Sequence, residues 1–300
     1  MEEQIIETKK EPSSVERALR RQKIMKVIQK ILVYTFLVIV AISTLFPFYW
    51  MLNISLQTYH EYINSSLNPI FFPTSMNWQN YANAVQVKNF ANNLRNTFVV
   101  AIVSTSLSMV VIILAAFAFA RLEFKGKDTL FTILLATMMV PGELFQISNY
   151  ATVSKLGWNN SYTVLIVPFL VSVFYIYLLR NAFKQIPDSL YYAAKVDGTS
   201  DLKYLFKVMI PLASPTIISI LILKVMGAWN SYVWPRLVNK EEWRLISNWL
   251  TNSFTNQETN MTDYPMKMAG VVIVSIPLMI IFIIFRKYIM RGVSKSGIKG

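Results

Sequence analysis

Two stretches of this chain carry no charge for longer than an ordinary core helix requires. From Ile31 to Tyr59, and again from Asn96 to Ala120, there is no Lys, Arg, Asp or Glu. A helix crossing the bilayer core takes roughly 20 apolar residues, so both runs qualify. Composition agrees: 54% of the 300 residues are hydrophobic and only 15% are charged, where soluble domains carry about 25%. The chain reads as an all-α integral membrane protein. Six spans fit, at about 31–55, 97–120, 129–150, 163–183, 209–235 and 266–286.

The net charge of +13 is distributed by side, which argues for membrane topology and against nucleic acid. Eight Lys or Arg fall in the first 30 residues, three in 121–128, five in 180–207 and five from Arg286 onward. If six spans alternate, all of these lie on one face. The positive-inside rule then puts both termini in the cytoplasm. The first span is too long for a signal h-region and no small-residue cleavage site follows it, so it reads as uncleaved. With no cysteine, a disulfide framework, a thiol nucleophile and a Cys-ligated metal are excluded. The single histidine, His60, stands in an outer loop and builds no cluster.

Three regions follow: a cytoplasmic arm and interfacial helix at 1–30, a membrane domain at 31–290 and a cytoplasmic tail at 291–300. Within the arm, 1–14 is polar, and apolar residues recur among basic ones from Val15 to Lys30, as in a helix at the headgroups. Long polar connections at 57–95 and 236–264 lie outside. No nucleotide-binding glycine loop, hydrolase elbow or metal spacing occurs. Active transport would therefore draw its energy from another chain or from an ion gradient.

The cytoplasmic stretch 188–208 interrupts the lipid-compatible sequence most sharply. Pro187 and Asp188 form a helix start, with an acid near the positive helix end. Gly198 permits a backbone turn. "SDLKYLFKVMI" resumes helical spacing, with Leu202, Leu205 and Phe206 expected on one face, and Pro211 marks re-entry into the membrane. The product is a helix-turn-helix presented to the cytosol between two spans.

"YYAAKVDGTSDLKYLFKVMIP" (191–211) resembles the EAA loop of binding-protein-dependent ABC importer permeases, with Ala193, Ala194, Asp197, Gly198, Phe206 and Pro211 on matching positions. "FAFARLEFKGK" (117–127), "MMVPGE" (138–143), "WNSYVWP" (229–235) and "RKYIMRGVSKSGIKG" (286–300) are similar to marks of the maltose-type carbohydrate permeases, second-permease type. The resemblance implies six transmembrane helices and a coupling loop seated in an ATPase, with Tyr192 and Leu202 added to the matching residues. It further implies a second related permease, two copies of the ABC ATPase and an extracellular solute-binding protein. Membrane lipid surrounds the chain and nucleic acid has no part. ATP and magnesium would sit on the ATPase; this chain would bind no cofactor and hydrolyse nothing. The setting implied is a bacterial plasma membrane. One departure matters: the motif's Glu is Tyr192 here, so no salt bridge can start from that position. Tyr still offers a hydroxyl and a large apolar face.

Charges also fall inside the spans. Glu143 and Lys224 lie near mid-membrane, where an ionised side chain costs about 2.5–3.5 kcal/mol or more. They are expected to face the bundle interior, either paired with each other or lining the pathway. Met139, Pro141 and Glu143 on span three, with Lys224, Trp229 and Asn230 on span five, form the expected substrate path. Trp229, Asn230, Tyr232 and Trp234 would suit a sugar; the aromatic belt of the interface is the competing reading and is preferred for Trp234. Two rivals stand beside the sugar importer: an ABC permease for a non-sugar solute, and an ion-coupled secondary transporter using Glu143.

Overall fold

The computed structural model describes residues 14–65, 68–255 and 261–294. Among these, three helices are long and apolar enough to cross a membrane: Arg21–Ser55, Phe90–Arg121 and Tyr264–Lys287. Three bent pairs raise the number to six. Lys127–Thr137 meets Gly142–Lys155 at 83°, Tyr162–Phe169 meets Val173–Lys184 at 45°, and Asp201–Leu212 meets Ser214–Trp229 at 82°. The six expected spans are therefore all present as apolar helical segments, but half of them are broken.

Each break has a cause in the sequence. Pro141 interrupts the third span, and the chain resumes through a tight turn at Gly142–Phe145. Pro168 removes a donor from the fourth span. Its missing N–H frees Val164 O, which accepts from Trp234 Nε1 at 2.9 Å, and the break before Val173 frees two more carbonyls: Ser108 Oγ donates to Leu170 O at 2.7 Å, and Lys224 Nζ to Phe169 O at 2.9 Å. Spans two and five thereby satisfy backbone groups that lipid could not. On the fifth span the bend falls at Ala213, two residues after Pro211.

Span two (Phe90–Arg121) is the axis of the fold. Its small and hydroxylated residues, Ser104, Thr105, Ser108, Ala116 and Ala120, are buried and let neighbours approach closely. Around its Arg121 end, Phe117, Leu179, Phe183, Tyr204, Leu205 and Ile220 form one core. Around the far end, Val100, Val164, Leu165, Trp234 and Leu245 form another. Span one (Ser14–Ser55) packs along the last helix and otherwise presents apolar side chains outward, a surface for lipid or another membrane chain. The interfacial stretch expected at 15–30 continues into span one without a break in the helix. The polar arm (1–13) and the end of the tail (295–300) lie outside the described residues.

Both long connections fold back onto the bundle. In the first, the Gln79–Gln86 helix is tied down by Asn80 Nδ2, which donates to Ser55 O and Gln57 O at 2.9 and 2.8 Å. In the second, Leu245, Ile246 and Trp249 are buried, and Ile246 N donates to Thr97 Oγ1 at 2.8 Å. The polar connection at 236–264 thus carries a buried apolar part at 245–249. Buried apolar side chains anchor that part to span two.

Gly270 on the last helix fits beneath these aromatics. A Cβ there would lie 2.8 Å from Phe254 Cζ and 3.3 Å from the Trp249 ring, and both rings are buried. Gly270→Ala is expected to destabilise by about 1–3 kcal/mol through overpacking, and Gly270→Val by more. Thermal unfolding of the purified detergent-solubilised protein checks this; an unchanged midpoint for Gly270→Val would contradict the packing.

Candidate functional site

The segment between spans four and five forms two short helices. Asp188–Val196 begins behind Pro187, as expected, and ends in a compact C-cap. Gly198 sits at φ +70°, its N–H donates to Lys195 O at 3.0 Å, and Thr199 N–H donates to Ala194 O at 2.9 Å. This is the Schellman arrangement, which needs a left-handed residue and hence favours glycine. The second segment, Asp201–Leu212, contains a π-helical turn at Leu205–Met209.

Side chains lock the two helices together. Tyr191 Oη donates to Asp201 Oδ1 at 2.8 Å, and Lys195 Nζ reaches the same oxygen at 2.7 Å. The Tyr191 ring meets Tyr204 edge-on at 5.2 Å. Burial, then the bond to Asp201, raises the Tyr191 phenol above its ordinary value of 10.0, so it remains a neutral donor at physiological pH. Tyr191 is thus an internal brace.

Arginines then fasten this unit to the spans. Arg121 closes span two, and its side chain is 4% exposed. Its guanidinium donates to Phe183 O at 2.8 Å and to Ile186 O, and pairs with Asp188. Carbonyls at the end of span four and just beyond it, with the first residue of the Asp188–Val196 helix, therefore converge on one planar fork. A second arginine, Arg180, donates through Nε to Phe119 O at 3.1 Å and lies 4.0 Å over the Phe131 ring, joining spans two, three and four. In the sequence both stand among the basic residues that mark one face of the membrane, with no sign of these carbonyl partners. The signal available was an Arg directly after an apolar run, in "FAFAR".

What remains outward is apolar. Tyr192 is 65% exposed and its side chain makes no hydrogen bond among the described residues, and Val196 is 88% exposed; Leu190, Leu202 and Phe206 are exposed too. Such an apolar patch outside the bilayer spans marks a protein interaction surface. Of the expected coupling residues, Tyr192, Ala193, Asp197, Gly198, Leu202, Phe206 and Pro211 are exposed, while Ala194 packs against the inner core. Leu205 is a correction: it is fully buried, opposite to Leu202 and Phe206, because it fills the core beneath the helix.

A cavity of about 270 Å³ opens at the other end of the bundle. Span two supplies Ser104, the break in span four supplies Phe169 and Tyr175, and span five supplies Lys224, with Ser231 and Trp234 beyond it. At about 1.5 Å per residue, Ser104 stands about 25 Å along the helix from Arg121. The expected path residues separate here. Lys224 lines the cavity; Met139, Pro141, Glu143, Trp229 and Asn230 do not. Glu143 is exposed and makes no ion pair with Lys224, whose partner is the Phe169 carbonyl. Trp229 is 2% exposed and packs edge-on against Phe98, so it is core and not a stacking surface for a sugar. Trp234 is also buried, its Nε1 donating to Val164 O at 2.9 Å, which removes it from the lipid interface. Ser104, Tyr175 and Ser231 were missed, since isolated hydroxyls on separate spans leave no sequence pattern.

Over residues 99–295 the chain matches the family described as "binding-protein-dependent transport system inner membrane component". It is 28% identical to the arabinooligosaccharides transport system permease protein AraQ of Bacillus subtilis (strain 168), covering 91% of this chain and 97% of that protein. The crystal structure of a bacterial ABC transporter involved in the import of the acidic polysaccharide alginate superposes with a TM-score of 0.77 at 24% identity. That match covers 90% of this chain and 98% of the other. A second structure, of a bacterial alginate ABC transporter in complex with an alginate pentasaccharide-bound periplasmic protein, gives 0.60 at 16% identity, over 87% and 94%.

Proposed function

Because the chain belongs to the family of inner membrane components of binding-protein-dependent transport systems, we propose that it is the permease subunit of an ATP-driven importer for a sugar or oligosaccharide. The observation that carries the coupling half of this reading is the apolar face of Tyr192, Val196, Leu202 and Phe206, held by Arg121 at the end of span two. A rigid element fixed to a span transmits a partner's motion to that span. The partner is a cytosolic ABC ATPase in two copies, which holds the ATP and magnesium. A second related permease completes the pathway, and an extracellular binding protein delivers the cargo. Both termini lie in the cytoplasm of a bacterial plasma membrane. The segments 1–30, 31–290 and 291–300 act as arm, permease domain and tail.

The sugar half rests on the relatives, whose names cite arabino-oligosaccharides and alginate. An ion-coupled carrier using Glu143 is disfavoured by the exposure of that residue at the broken third span. Purification of this chain from its native membrane in mild detergent tests the reading. A second permease and two ATPase copies should co-purify, and the complex in liposomes should take up saccharide with ATP and binding protein. A homodimer without an ATPase under any nucleotide condition would overturn it.

A further inference from the structure

The cavity described above contains an unbalanced cation. Lys224 half-emerges into it, and no carboxylate lies within ion-pair distance among the described residues. One of its three N–H donors is used by Phe169 O at 2.9 Å. The Tyr175 ring lies 5.9 Å from Nζ. Three hydroxyls, of Ser104, Tyr175 and Ser231, line the same space and make no side-chain hydrogen bond among the described residues. Phe169 and Trp234 supply apolar walls.

A purely structural lysine does not account for this arrangement. A neutral amide or hydroxyl would satisfy one backbone carbonyl without placing a full charge inside a span. The remaining ammonium donors, three free hydroxyls and aromatic walls match a sugar ring that carries an anion. At about 270 Å³ the space falls just below the usual ligand sites, which run from about 300 to 1,000 Å³, so it suits one sugar unit of a longer chain.

We propose that this cavity takes the carboxylate-bearing unit of an acidic saccharide, with Lys224 binding the carboxylate and the three hydroxyls binding the ring. This rests on the sugar-importer reading and narrows its substrate class to uronate-containing oligosaccharides. Lys224 is then a specificity-determining residue.

The test uses the whole complex in liposomes, with its binding protein. Uptake is measured for labelled oligomers of galacturonate, mannuronate and guluronate, for the same oligomers with carboxyls reduced to alcohols, and for neutral arabino- and malto-oligosaccharides. At least one uronate series should enter about tenfold or more faster than its reduced counterpart, about 1.4 kcal/mol or more. Lys224→Gln, which keeps an N–H for Phe169 O, and Lys224→Met should both remove that advantage, and Lys224→Arg should retain most of it.

Reduced or neutral sugars entering as fast as uronates, or full uronate selectivity in Lys224→Gln, overturns the inference and leaves the sugar reading standing. Uptake of no saccharide of either kind overturns both. Loss of bound anionic lipid in Lys224→Met, with uronate uptake unchanged, would assign the charge to a headgroup phosphate instead.

Discussion

Replacing Arg121 with Gln is expected to separate ATP hydrolysis from transport. The residue ends span two and holds the carbonyls of Phe183 and Ile186 together with Asp188. Two kinds of interaction meet there, and their sizes differ. The Asp188 side chain is 69% exposed, so solvent screens the ion pair and its worth falls in the range of about 0–1 kcal/mol. The bonds to the two carbonyls are charge-assisted and at a buried guanidinium, worth about 1.5–3 kcal/mol each. The carbonyls therefore dominate. Arg121→Gln should reduce uptake by about tenfold or more, in line with losing at least one such bond, with ATPase activity persisting but no longer stimulated by loaded binding protein. Arg121→Lys should recover only part, because a point charge cannot reproduce the planar fork. Asp188→Asn should change uptake little. Equal damage from Asp188→Asn and Arg121→Gln would assign the joint to the ion pair and contradict this ranking.

The second large effect concerns Tyr192. Its side chain makes no hydrogen bond among the described residues and is exposed, so its removal leaves the fold of the permease intact. Any loss then reports the partner. Buried aromatic anchors at interfaces cost about 2–4 kcal/mol when truncated, so Tyr192→Ala should weaken retention of the ATPase by roughly thirty- to a thousandfold. Tyr192→Phe decides which part of the side chain matters. Near-normal retention would assign the contact to the ring face, and a loss like that of Tyr192→Ala would assign it to the hydroxyl. Tyr191→Phe should behave differently, because that hydroxyl holds Asp201 at 2.8 Å within the loop. It should loosen the helix pair, seen as faster hydrogen exchange across 196–201, with the docking face itself unaltered.

Much of this architecture was legible before any coordinates. The charge-free runs at 31–59 and 96–120 specify membrane helices outright, because lipid tolerates little else. Pro187, Asp188 and Gly198 announce a helix start and a left-handed turn by local chemistry alone, and both occur where expected. The faces of the helix pair at 188–212 are harder to read. Leu202, Leu205 and Phe206 look alike in sequence, and only the core under the loop decides that Leu205 turns inward. Arg121 was hidden for the opposite reason. Near a membrane edge an arginine usually reads as a topological charge, and its carbonyl partners lie 62 and 65 residues away.

The cavity at the far end of the bundle is the least legible part. Trp229 and Asn230 stand in a conspicuous motif, yet the motif packs Trp229 against Phe98, and neither residue lines the cavity. The residues that do line it are single hydroxyls and one lysine contributed by separate spans. Their meeting depends on the break between Phe169 and Val173, which frees Phe169 O to receive Lys224.

The central claim is that the 188–206 face seats in an ATPase. The chain has no cysteine, so Tyr192→Cys supplies a unique thiol for cross-linking in native membranes, with each adduct identified by mass spectrometry. The account predicts an adduct with an ATP-hydrolysing subunit whose yield changes with nucleotide, and similar adducts from Leu202→Cys and Phe206→Cys. Failure of all three positions to reach an ATPase, in a complex that still imports its substrate, would contradict it.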